Sequence, residues 1–129
     1  MAVVDDVLPL GDELERSYVV QVRGRVKFRV GSIVYVAFSH DEAVMGFAFP
    51  KEERQALVDN DPRFQLPDES DLRFNWVHAT LAELDPVEAR ELVVEAWRMV
   101  VPQKVARAYD AAHPDGPGTP PQPSRQPTP

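Results

Sequence analysis

Four cations at alternate positions, Arg23, Arg25, Lys27 and Arg29, are the residues of this 129-residue chain whose types and spacing point most directly to chemistry. On an extended strand, side chains two apart stand about 6.6 Å from one another and point the same way. A row of that kind can follow the phosphates of an extended polyanion. Four such contacts give weak, salt-sensitive and sequence-blind attachment. The competing reading is a solvated strand face, the usual meaning of a short charge run. The net charge of −7 is the wrong overall sign for a protein that holds nucleic acid with its whole surface. The basic stripe is therefore local.

Other reactive arrangements are missing from the sequence. With no cysteine, disulfides, thiolate catalysis and Cys-ligated zinc are excluded. His40, His78 and His113 lie far apart, and none stands four residues from another histidine or a carboxylate. His40-Asp41-Glu42 gathers three ligand types, but adjacent turn residues seldom converge on one ion, so it reads as a polar hairpin tip. No metal or cofactor is expected. There is no G-x-S-x-G elbow, Ser-x-x-Lys pair, G-x-G-x-x-G loop or Walker pattern. His78 shares its parity with Phe74 and Trp76, which reads as a hydrogen-bonded core histidine rather than a base in a cleft. Trp76 and Trp97 read as core residues rather than ligand-stacking ones. An enzyme is not expected.

The elements that would carry the cations can be laid out in order. Val20, Val22, Val26, Phe28 and Val30 occupy the parity opposite the cations, with Gly24 as the one gap. That alternation predicts a strand over Arg25 to Val30, extended back to Tyr18. Gly31-Ser32 suits a two-residue hairpin turn. Ile33 to Phe38 is then a central strand, Ser39 to Glu42 a turn, and Ala43 to Phe49 a third strand. In this register Phe28 faces Tyr35 and Lys27 faces Val36, and the cations stand beside Val34, Val36 and Phe38, then Met45 and Phe47.

Met1 to Leu10 predicts a short helix ending at Pro9, and Pro50 opens a second helix that runs to Asn60. Asp61 to Asp71 reads as a loop anchored by Phe64 and Leu66, and Leu72 to Leu81 as a fourth strand. Asp85-Pro86-Val87-Glu88 is a capping box. The helix it starts carries Ala89, Leu92, Val93, Ala96, Trp97 and Val100 on one stripe. Pro102 restarts a last helix with Val105, Ala108, Tyr109 and Ala112 on one face. From Pro114 onward seven of sixteen residues are proline, a composition that predicts a disordered tail.

The fold class that follows is α+β, in the order α-β-β-β-α-β-α-α, with helices packed on one face of an antiparallel sheet of about four strands. One domain over residues 1–113 and a tail over 114–129 is the expected division. No basic-then-apolar leader opens the chain, and no apolar run approaches the ~18 residues a membrane span needs. A soluble cytoplasmic protein with no membrane partner is expected.

Three stretches together resemble one known family. They are V-K-F-R-V-G-S-I-V-Y-V-A-F (Val26 to Phe38), F-P-K-E-E-R-Q-A-L-V-D-N-D-P-R-F (Phe49 to Phe64) and F-N-W-V-H-A-T-L-A-E-L-D-P-V-E-A-R-E-L-V-V-E-A-W-R-M-V-V-P-Q-K-V (Phe74 to Val105). In their order and spacing they resemble the MmcQ/YjbR family, over roughly residues 20 to 112. The resemblance implies a CyaY-like fold and DNA binding by a double-wing arrangement of hairpins. Carried over by position, it implies cationic contacts at Lys27, Arg29 and Lys104. Ile33 departs from the lysine the family often places after the Gly turn, and the tip at His40-Asp41-Glu42 is acidic. The expected function is a non-enzymatic binding protein, with DNA held by Arg23, Arg25, Lys27, Arg29 and Lys104. The alternative is a protein-interaction or small-molecule module on the Val34/Val36/Phe47 face, with a homodimer or another protein as partner.

Overall fold

Arg23 and Gly24 both adopt left-handed backbone, with φ of 54° and 79°. Two consecutive positive φ values make the tight turn whose twist suits a β-hairpin. The stretch expected as one long strand is therefore two. β1 (Ser17–Val22) and β2 (Arg25–Val30) pair antiparallel, with Val22 opposite Arg25 and Val20 opposite Lys27. The reversal swaps the parity: Tyr18, Val20 and Val22 share a face with Arg25, Lys27 and Arg29 instead of opposing it.

The structure, a computed structural model, describes residues 1–115, so the proline-rich stretch expected to be a tail lies almost wholly outside the described residues. The remaining strands are β3 (Ile33–Phe38), β4 (Val44–Ala48), β5 (Phe64–Gln65) and β6 (Trp76–Thr80). All six form one antiparallel sheet in the order β1-β2-β3-β4-β6-β5. The expected count of about four was too low for two reasons. One predicted strand is a hairpin, and two residues inside the predicted loop pair with β6 at the sheet edge.

The β2–β3 register also departs from expectation. Val30 faces Ile33 across the Gly31-Ser32 turn, but a bulge then shifts the pairing, so Phe28 meets Val36 and Lys27 meets Ala37. The extra residue lets Tyr35 and Val36, adjacent in sequence, both be fully buried. Val36, Phe38, Met45 and Phe47 thus belong to the core, and only Val34 of the expected apolar neighbours stays on the cationic side.

Four helices complete the α+β fold: α1 (Val4–Glu13), α2 (Lys51–Asn60), α3 (Pro86–Arg98) and α4 (Gln103–Ala112). α1 continues through Pro9, where its end was expected. What holds it is close docking on the first hairpin, where a Cβ at Gly11 would stand 2.5 Å from Val19 Cγ2 and 2.8 Å from the Phe28 ring. Burial there outweighs the backbone donor that Pro9 lacks. α3 starts on the expected capping box, in which Glu88 N donates to Asp85 Oδ1 at 2.8 Å and Asp85 N to Glu88 Oε1 at 3.2 Å. Its stripe buries Ala89, Val93, Ala96 and Trp97 as expected. The Trp97 Nε1–H donates to the Glu15 carbonyl at 3.0 Å, joining α3 to the end of α1. No helix among the described residues is long and apolar enough to cross a membrane.

Candidate functional site

With α1 and α3 packed on one side, the sheet leaves its other face uncovered, and β2 presents cations there. The register gives that face a continuous row: Val20, Lys27, Ala37, Gly46, His78 and Gln65. The middle of the row, Ala37 and Gly46, is small, and the rims are long polar side chains. A shallow trough is the necessary result. Three strand spacings of about 4.8 Å separate Lys27 from His78, or about 14 Å backbone to backbone.

This trough is the floor of a cleft of about 720 Å³. Arg25 and Lys27 line one side, and Asp68 and Asp71 line the other. The Nε–H of Arg25 donates to the Phe38 carbonyl at 3.2 Å, which steadies the guanidinium at the cleft wall. Among the described residues, Arg25, Lys27 and Arg29 form no ion pair with a carboxylate. The acidic wall belongs to the connection between β5 and β6, which includes a single 3-10 turn at Glu69–Asp71.

That connection is fixed by a residue the sequence reading passed over. Arg54 of α2 is only 8% exposed. Its Nη1 donates to the carbonyls of Phe74 and Trp76 at 3.0 and 2.9 Å, and its Nη2 to that of Leu72 at 2.7 Å. Burying a cation costs several kcal/mol unless its donors are matched, and here three carbonyl dipoles meet one planar fork. Lys51 N adds a bond to Asn75 Oδ1 at 3.0 Å. The first turns of α2 thus set where the acidic wall stands. The K-E-E-R run that holds Arg54 looked like an ordinary charged helix face, and what sets this residue apart is its burial against three backbone carbonyls.

Trp76 and His78 do share a face, as their parity predicts, but it is the open one. Val77 and Ala79, on the alternate parity, are the fully buried pair. Trp76 is half-buried, lying over Gly46 in the cleft, and is not the core residue expected; Trp97 is. Burial, first of all, pushes the His78 imidazole below its usual pKa; Arg25 adds to this, while Asp68 and Asp71 pull against it. Burial therefore favours the neutral imidazole at His78, which can both donate and accept. At the cleft rim, Ile33, Phe74 and Met99 are 52%, 51% and 41% exposed.

The five predicted cations are not all brought together. Arg25 and Lys27 line the cleft, and Arg29 shares their face by register, its buried Nε lacking a hydrogen-bond partner among the described residues. Arg23 sits in the β1–β2 turn and is no part of the row. Lys104 lies in the first turn of α4, away from the cleft lining. The two hairpin tips stand side by side, with the position a Gly24 Cβ would take 3.6 Å from His40 Cε1. In the second tip Asp41 accepts from Ser39 Oγ at 2.7 Å and Ala43 N at 3.0 Å, and these bonds hold its carboxyl below the usual range.

Comparison with known proteins agrees with this architecture. The YjbR family model matches residues 13–99, from the end of α1 to just past α3. A crystal structure of Deinococcus radiodurans protein DR2400, with domain DUF419, is similar in fold at a TM-score of 0.67 and 20% identity. That similarity covers 87% of this chain and 88% of that one. No curated protein matches. The chain belongs to the YjbR family.

Proposed function

We propose that this YjbR-family chain is a non-enzymatic, cytoplasmic binding protein that holds nucleic acid on the open face of its sheet. The phosphates would lie against Arg25, Lys27 and Arg29. One observation carries the reading: the β1–β2 and β2–β3 registers turn these three cations to the face left bare by the helices, with no carboxylate paired to them among the described residues. Arg23 and Lys104 have lesser parts. In the CyaY-like, double-wing description, the β1–β2 and β3–β4 hairpins are the wings. Here the strand face rather than the wing tips would make contact, since Asp41 and Glu42 occupy the second tip.

Three phosphate contacts set the magnitude. On a single strand the expected salt slope is about −2, so affinity falls roughly 20-fold between about 50 and 200 mM salt. Titration of labelled single-stranded and duplex oligonucleotides across that range tests the reading. Saturable, salt-dependent binding weakened by Lys27→Glu supports it. No binding at about 50 mM salt removes it.

The exposed Ile33, Phe74 and Met99 favour a second reading, in which the same face docks a protein or a second copy of the chain without nucleic acid. Sedimentation at rising concentration, with and without Ile33→Ser, separates the two.

A further inference from the structure

We infer that the cleft beside β2 is a subsite for an unstacked nucleobase, so that the strand held on this face is single. The inference rests on the nucleic-acid reading above and adds the form of the ligand. Its basis is the distribution of charge across the trough. Arg25 and Lys27 stand on one side, and Asp68 and Asp71, on the β5–β6 connection, on the other. Neither of those carboxylates accepts a side-chain hydrogen bond from another described residue, whereas the Asp41 carboxylate is committed to Ser39 and Ala43.

A duplex laid on this face carries phosphates on both of its borders, and one line of them would fall on the acidic wall. A single strand has a charged side and a hydrogen-bonding side. With its phosphates along β2, its bases point across the floor toward carboxylates that accept from exocyclic amino groups. The floor suits a flat ring, because Ala37 and Gly46 leave the backbone low and Trp76 offers a half-buried indole beside them. Phe74 supplies a second, exposed ring at the rim, with the Arg73 guanidinium stacked 4.7 Å from its centre. Aromatic surface next to a cationic track is the arrangement that holds single strands generally. The cavity, about 720 Å³, falls within the range of sites that enclose a small molecule.

Acceptors on the far wall give the site a preference. Cytosine, with an amino group on its Watson–Crick edge, should be favoured over thymine, which has a carbonyl there.

The experiment compares equal-length oligodeoxycytidine, oligothymidine, an abasic strand and a duplex by anisotropy at about 50 mM salt, with cytidine monophosphate as a competitor. Oligodeoxycytidine is expected to bind about tenfold more tightly than the abasic strand or the duplex, within what one stacked base supplies. The Asp68→Asn/Asp71→Asn protein, altered at one exposed and one half-buried carboxylate of the β5–β6 connection, is expected to bind every strand more tightly and to lose the preference for cytosine over thymine. Equal binding of base-bearing and abasic strands overturns the subsite while leaving the nucleic-acid reading intact. So does a cytosine preference that survives the double substitution. Cytidine monophosphate competing as well as the strand would assign the cleft to a free nucleotide and overturn the strand inference. Failure of every strand to bind overturns both.

Discussion

The indole of Trp76 lies so close over Gly46 that a methyl group at position 46 would stand 2.7 Å from its Nε1. The contact is on the open face, where the indole is half-buried and has solvent on one side. Gly46→Ala should therefore cost less than about 1 kcal/mol of stability. It should lift the indole off the floor, shift the Trp76 emission and weaken strand binding. Gly11→Ala is the contrasting case, because its methyl would press on Val19 and on a fully buried Phe28. The ordinary helical gain of Ala over Gly, about 1 kcal/mol, is then outweighed by overpacking of about 1–3 kcal/mol. Urea denaturation of the two variants should rank them in this order.

Arg54→Met removes a guanidinium and leaves three carbonyls without their donor. A loss of about 2–4 kcal/mol is expected from unsatisfied buried acceptors. Arg54→Lys should recover little of it, since one ammonium cannot span three carbonyls as a planar fork does. Hydrogen exchange at Trp76 to Thr80 should rise in both variants. If Arg54→Lys restores full stability, the fork geometry is not what matters.

The row on β2 predicts an ordering among charge reversals. Lys27→Glu should weaken binding about tenfold or more, because it removes one contact and places a carboxylate in the row. Arg23→Glu and Lys104→Glu should change affinity by less than about threefold at the same salt. A salt slope that falls by about one for Lys27→Gln, and not for Arg23→Gln, is the clearest readout.

For His78 the sign is set by burial. The folded state holds its pKa down, so between that value and the ordinary ~6.5 the unfolded chain binds more protons. Stability should therefore fall as pH drops below about 6.5, and His78→Gln should remove that step. Further into acid, Asp41, Asp61 and Asp85, all held low, contribute stability present above the ordinary carboxylate pKa and lost as pH falls through their folded values. At the alkaline end, burial pushes the Tyr35 hydroxyl up to about 12 despite its 2.6 Å bond to Ser17 Oγ. That contribution is present below the ordinary tyrosine pKa and lost as pH rises through about 12. Melting temperatures across pH, read for wild type and His78→Gln, check the sign at each end.

Where structure is set by neighbours in sequence, it was legible. The Asp85–Glu88 box and the α3 stripe needed only local geometry, and both formed as read. The Arg23-Gly24 hairpin was hidden because apolar residues keep the even positions on both sides of it, although the turn puts Val20 and Val22 on the open face and Val26 and Phe28 on the core face. The bulge at Tyr35 was hidden because I-V-Y-V-A-F is apolar at every position and carries no parity. β5 is two residues long, too short for any period. Trp76 misled by size: the small Val77 and Ala79 faced the core instead. Of the site, the cations on β2 could be read from type and spacing. The acidic wall opposite them could not, since it depends on a bond network from α2, 18 to 24 positions away, that leaves no periodic trace.

Because the Leu72–Trp76 backbone is tethered to the first helical turns after β4, the mouth of the trough inherits the stiffness of the protein interior. Recognition on this surface should proceed as docking onto a preset mould, without a swinging flap. Its speed would be governed by diffusion and by water leaving the ring surfaces.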